Sequence, residues 1–290
     1  MFKANVRRWV PGGFAAVALC VLGIMPARAI PVTTQILMDG PGAKVLKLET
    51  AEYLIGPLAP GGVVRGVLRV SLAENGFAPA DPRPIGSGGV NELTALFELQ
   101  LTDVICVGPL CTIRATWNDS FASDPALAGF TIPAGSHPTL ALFEDATPDF
   151  DRSTIAAGEA TATNGLPYML LGMDGTDDFW LGQADFSVTE PGSVFGTFFR
   201  ADTVLDNPRG PALAAMTCTT TIAGGASATA DVCFSGKLIL SASGEFPFGT
   251  ESNAFMTTVP EPATWSLFGT GILGLLFARR QLSARPSVRS

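Results

Sequence analysis

Carboxylates gather in two short stretches of the chain. Glu144, Asp145, Asp149 and Asp151 fall within eight residues, and Asp174, Asp177 and Asp178 share a loop with Gly175. Calcium takes six to eight oxygen ligands, and closely spaced carboxylates on a glycine-bearing loop supply some of them. Neither stretch has the helix-flanked twelve-residue calcium pattern. Solvated turns between strands therefore stand beside calcium as a reading of Asp145, Asp149, Asp151, Asp174, Asp177 and Asp178. The chain has 1 histidine, His137, between Ser136 and Pro138. A Ser-His-Asp relay needs three groups assembled by the fold, and no nucleophile-elbow pattern surrounds this histidine. Two carboxylates roughly 5–10 Å apart would suffice for glycoside hydrolysis, a separation that linear spacing does not record. Trp117, Trp180 and Tyr168 have flat faces that stack on sugars and equally the bulk that fills a core. No phosphate-cradling glycine loop or metalloprotease helix is present.

Of the 5 cysteines, Cys20 lies in an apolar N-terminal run. Cys106, Cys111, Cys218 and Cys233 remain, an even number that admits three pairings. The two local pairs, Cys106–Cys111 and Cys218–Cys233, fit hairpins best. Zinc is the alternative, but no histidine accompanies them and their spacings match no common zinc pattern.

The elements that must position these residues read as strands. Val64, Leu68, Val70 and Leu72 share one face, with Arg65, Arg69 and Ser71 on the other. That is the period of two expected of a half-buried strand. Leu93, Ala95, Phe97, Leu99 and Leu101 alternate with polar residues, Leu96 being the exception. Cys111, Ile113, Ala115 and Trp117 repeat the pattern beyond Gly108-Pro109, so the two stretches predict an antiparallel hairpin. Short strands are expected around 139–143, 168–172, 179–188 and 193–205, and a final hairpin pairs 216–222 with 230–242. About ten strands with glycine-rich joints point to an all-β antiparallel β-sandwich, jelly-roll-like, with a barrel as the alternative. This ectodomain is assigned to residues 30–244 and a spacer to 245–258.

Both ends carry targeting chemistry. Lys3, Arg7 and Arg8 precede an apolar run from Phe14 to Met25, and Ala27-Arg28-Ala29 is a small-residue cleavage site. Residues 1–29 thus read as a secretory signal peptide. At the other end Pro260-Glu261-Pro262 leads into an uncharged run containing Trp265, Leu267, Phe268, Ile272, Leu273, Leu275, Leu276 and Phe277. Arg279, Arg280, Arg285 and Arg289 close the chain and belong on the cytoplasmic side. The fourteen uncharged residues Trp265–Ala278 reach about 21 Å, short of a ~30 Å hydrocarbon core. Flanking residues and snorkelling arginines narrow the gap, giving a single membrane helix at about 263–278. Formal net charge is −8, and between the two ends acidic residues outnumber basic ones more than twofold. That balance excludes a nucleic-acid partner, whose phosphates demand a basic face.

The C-terminal constellation of Pro260-Glu261-Pro262, apolar segment and Arg279-Arg280 resembles the PEP-CTERM sorting signal. That signal marks bacterial proteins handled by an exosortase, a membrane-embedded cysteine transpeptidase-like enzyme. The resemblance covers residues 259–290 and leaves the ectodomain unmatched. It implies export through the inner membrane, transient anchoring there, and cleavage near Pro260–Pro262. The product is then released or attached at the surface. Exosortases of that family accompany exopolysaccharide production, so a biofilm or extracellular-matrix setting is implied as well. Three function classes follow: a non-catalytic surface or matrix protein, a carbohydrate-binding module, and a polysaccharide-active hydrolase.

Overall fold

The computed structural model describes residues 42–75, 83–84, 91–174, 178–241 and 245–259. The signal-peptide helix and the C-terminal membrane helix expected from the sequence lie outside these residues. No helix among the described residues is long and apolar enough to cross a membrane.

The described residues form fourteen strands and one α-helix, in chain order: β1 (Gly42–Ile55), β2 (Val63–Asn75), β3 (Arg83–Pro84), β4 (Glu92–Val107), β5 (Leu110–Thr116), β6 (His137–Asp145), α1 (Ile155–Ala162), β7 (Leu166–Met173), β8 (Phe179–Asp185), β9 (Val194–Asp206), β10 (Leu213–Ala214), β11 (Met216–Thr220), β12 (Ala226–Ala230), β13 (Val232–Leu240) and β14 (Phe248–Thr258). The class is all-β, and the strand pairings are antiparallel throughout. Those pairings run β1–β2–β4–β5–β8–β9–β13–β14 and back to β1, a closed ring of eight strands. Closure removes the exposed edges that an open sheet must otherwise protect. Opposite walls of the ring pack across a common core, as the two layers of a sandwich do.

One wall is forked. On β4, β6 pairs with Glu92–Phe97 and β5 with Gln100–Val107. On β9, β8 pairs up to Ala201 and β7 takes over from Thr203. The hairpin β6–β7 therefore bridges β4 and β9 beside β5–β8.

Alternation sorts the side chains. Leu48, Leu68, Val70, Leu93, Ala95, Phe97, Leu99, Leu101, Ile113 and Phe198 face the central core. Leu96, the apparent exception in β4, faces a second core with Val67, Ala51, Ala141, Phe143 and Leu170. That second core is covered by Phe121, Leu127 and Phe130 from the segment after β5, and by Ala162 of α1. Strands β6 and β7 are thus buried on both faces, which is why β6 is apolar without alternation. Arg65 clamps the cover in place. It lies 2.7 Å from Glu98, 2.8 Å from Asp124 and 2.6 Å from Glu159, joining β2, β4, the 121–129 turns and α1.

Local chemistry explains several details. Gly108 has φ +62° and stands before Pro109 at the β4–β5 turn. Glycine first and proline second suit a type II′ hairpin turn. At Gly66 a Cβ would lie 2.7 Å from Ala51 O and 2.7 Å from Phe97 Cζ, so only glycine lets β2 pass there. Thr154 Oγ1 accepts from Ala157 N at 3.1 Å and caps α1.

Two expectations need correction. Residues 248–258 are not a spacer; they form β14, hydrogen-bonded to β1 and β13 and to the short β10. Small and polar residues at its inward positions, Thr250 and Ser252, mask the pattern. The last hairpin also differs: β11 pairs with β12, while β13 belongs to the ring. Cys106–Cys111 and Cys218–Cys233 are both disulfides. Cys218 lies opposite Ala228 rather than opposite its partner. The second disulfide therefore ties the outer hairpin to the ring, over a third apolar cluster with Phe199, Ala201 and Ala230.

Closing a 15-residue separation stabilises by about 3 kcal/mol in the loop-entropy account, and a 5-residue one by about 2 kcal/mol. Urea unfolding should show the Cys218→Ala/Cys233→Ala chain weaker by about that larger amount, and the Cys106→Ala/Cys111→Ala chain by less. The reverse ranking would contradict loop closure as the source.

Candidate functional site

The carboxylates singled out by spacing are spread over turns. Asp145 Oδ1 accepts from Thr147 N at 2.8 Å, and Asp151 Oδ1 from Ser153 N at 2.8 Å. Asp149 receives Asn164 Nδ2 at 3.2 and 3.0 Å on its two oxygens. Glu144 is buried, held by Asn91 at 3.2 Å and Arg209 at 3.3 Å. Among the described residues no group of three or more His, Cys, Asp or Glu side chains is placed to hold a metal ion. Asp177 lies outside the described residues.

Asp178 differs from the others. It is buried, its Oδ2 accepts from Asp174 N at 2.9 Å and Thr203 Oγ1 at 3.5 Å, and its Oδ1 has no partner among the described residues. Burial, with the Asp202 and Asp174 charges adding to it, pushes its carboxyl up to about 7, against the amide of Asp174 that favours the anion.

The aromatic residues are mostly core. Tyr168 is buried, and Trp180 stacks on Phe198 with ring centroids 5.9 Å apart. Trp117 stacks on His137 at 4.0 Å, and His137 Nδ1 lies 3.5 Å from Asp119. Ser136 Oγ donates to Pro133 O at 2.7 Å, so its proton is not directed at His137.

The densest polar chemistry is inside the ring, at residues the sequence reading passed over. Glu52, Arg200 and Asp202 are 8%, 4% and 0% exposed. Arg200 pairs with Asp202, donates from Nη2 to Thr139 Oγ1 at 2.6 Å, and sits 5.5 Å from the Phe234 ring centre. Thr50 Oγ1 donates to Glu52 at 2.6 Å and accepts Thr250 N at 2.7 Å. Burial pushes both Glu52 and Asp202 up; the Arg200 charge opposes this at each, and hydrogen bonds from Thr50 and Thr250 oppose it at Glu52. A cavity of about 40 Å³ lies among these groups, walled by Leu48, Leu68, Phe97, Leu99, Leu140 and Phe234. A second, of about 60 Å³, lies toward the β1–β2 end and shares Glu52, Val64, Leu101 and Trp180 with the first. One signal was available: period two in β9 puts Phe198, Arg200 and Asp202 on a single face.

Outside the ring a groove of about 650 Å³ crosses β2, β1, β14, β13 and β9. Its floor carries Lys47, Glu49, Ser71, Thr197, Ser235, Lys237, Glu251 and Asn253. Glu49 stands directly opposite Glu251, and Lys237 opposite Glu251 on the other side. Arg69 reaches Glu49 at 3.1 Å, so each carboxylate has a cation beside it. Such a surface offers alternating hydroxyl, amide and charged groups but no exposed aromatic platform.

Residues 258–281 match the family model described as the PEP-CTERM protein-sorting motif. No curated protein and no solved structure matches the chain. The motif begins at the last residue of β14, so the tail is identified and the ring is not.

Two tests address the buried charges. Arg200→Met should destabilise by about 3–5 kcal/mol in urea unfolding, because it leaves buried carboxylates unpaired, and Arg200→Met/Asp202→Leu should recover most of that loss. For Asp178 the folded value of about 7 lies above the ordinary 3.8. The native state therefore binds the extra proton between those values, and this group's contribution is complete below about pH 4 and lost as pH rises through 7. Asp178→Asn should flatten the decline in urea midpoint over that window and raise stability at pH 8. An unchanged slope would show that another group governs it.

Proposed function

We propose that this chain is an exported, exosortase-processed protein that acts without catalysis at the cell surface or in the extracellular matrix. The PEP-CTERM motif over residues 258–281 carries this reading. It implies export, recognition by an exosortase and a surface or extracellular destination. The inner membrane is the transient station on that route. The acidic turns between β6 and α1 are occupied with capping backbone amides, which favours a structural role, and we assign the protein no metal or other cofactor.

Placement of the motif fits processing. Val259 N donates to Ala212 O at 3.0 Å, one residue before Pro260. The strand-built body is thus held up to the edge of the cleavage motif, and cutting there leaves every ring strand intact. The outer groove is the surface we assign to association with extracellular polysaccharide in a biofilm, since Ser71, Thr197, Ser235 and Asn253 present hydroxyl and amide groups suited to sugar hydroxyls. A carbohydrate-binding module with a defined ligand is the sharper form of the same reading.

The test is a Glu261→Ala chain expressed in a host with an active exosortase. It should accumulate uncut in the inner membrane, while the unsubstituted chain appears shortened outside the cell. Equal processing of both chains would remove the sorting motif as the determinant.

A further inference from the structure

We propose that the interior of the ring, between Glu52 and the β1–β2 loop, is a binding site for a small, neutral, largely apolar molecule bearing one hydroxyl or carbonyl group. The two interior cavities, about 40 and 60 Å³, meet at Glu52, Val64, Leu101 and Trp180. Native cores are close-packed and leave few voids larger than a water molecule. Two adjoining spaces that open toward the β1–β2 end are therefore a feature to be accounted for.

Their chemistry selects the occupant. The outer cavity is walled by Leu54, Leu58, Ile113, Phe186, Phe195 and Phe248, and its one ionisable carboxyl is Glu52. Water held in such a space needs two to four polar partners, and these apolar walls do not supply them. A void of about 150 Å³ houses a benzene ring, so these smaller ones suit an unbranched chain of a few heavy atoms. Burial of Glu52 favours its protonated form, which offers one O–H to an acceptor oxygen. A ligand hydroxyl or carbonyl answers that donor, whereas a carboxylate would have to give up its hydration to the apolar walls.

An entrance exists at the same end. Leu58, in the β1–β2 loop, is 39% exposed, and Leu54, Phe186 and Phe248 around it are half-buried. Trp180 stands between the two cavities and lies over Gly182, where a Cβ would come 2.6 Å from its ring. Glycine at 182 lets the indole lie flat against the wall, and turning that ring joins the two spaces. This site is separate from the sorting motif and from the outer groove.

The experiment titrates the full chain with 1-propanol and with propanoate, reading the melting temperature and the heat of binding. A ligand bound only by the native state raises the melting temperature. The expected result is a saturable rise with 1-propanol, at least ~tenfold weaker binding of propanoate, and loss of the rise in Val64→Phe, whose ring fills the shared space. The same titration followed by intermolecular NOEs on the unsubstituted chain should connect 1-propanol to Trp180 and Val64. No saturable effect, an effect kept in Val64→Phe, NOEs to other residues, or propanoate binding as tightly as 1-propanol would each overturn the assignment.

Discussion

β14 pairs with β1 along one edge and with β13 along the other, and that double pairing seals the ring. An eight-strand sheet left open would present two rows of unpaired N–H and C=O groups to water and to other chains. Sealing it satisfies those groups and commits every second side chain of eight strands to a shared interior. The rest of the molecule answers to that commitment. Bulky residues from β2, β4 and β9 fill most of the space, so β14 can carry Thr250 and Ser252 where a sandwich strand would carry leucine or valine. Glycines at the tightest crossings, Gly66 among them, let neighbouring aromatic rings lie over the backbone.

An interior made this way also encloses charge. Arg200, Asp202 and Glu52 are buried, so their arrangement is set by mutual pairing and by threonine hydroxyls. Such pairs add little net stability compared with apolar residues, yet breaking one is severe. The exposed acidic residues are governed by different physics. Asp145, Asp149 and Asp151 bind backbone amides or a neighbouring amide side chain in turns, where water screens them. Residue type alone does not separate these two populations of carboxylate; position relative to the ring does.

Closure also links the fold to its route. Thr50 and Thr250 meet across 200 residues of sequence, so the ring stays open until its final strand is available. Contacts of such long range are slow to form because loop closure must precede them. The sorting motif begins at the end of that strand, so the strand that closes the ring and the address label are adjacent in the chain. The two disulfides fit an oxidising compartment outside the cytoplasm. One staples a hairpin tip, and the other fastens the β11–β12 flap onto the ring wall.

The chain's own letters were enough for the sorting motif, since its proline-glutamate-proline core, apolar run and arginines act as a linear signal. They were also enough for the all-β class and for the β4–β5 hairpin, because alternation in residues 93–101 and 111–117 is local. Both disulfides followed from nearness in sequence, although the second turned out to join two layers rather than the two arms of one hairpin. β1 and β14 escaped notice because Thr50, Glu52, Thr250 and Ser252 occupy inward positions and break the apolar period. Helix α1 escaped because eight residues rich in alanine show no clear apolar stripe. Only the tertiary structure decided that the sheet closes, that Glu52 and Arg200 face one another's charge inside it, and that a cavity remains between them. Those outcomes depend on pairings between strands far apart in the chain, and period two says which side chains share a face without saying which faces meet.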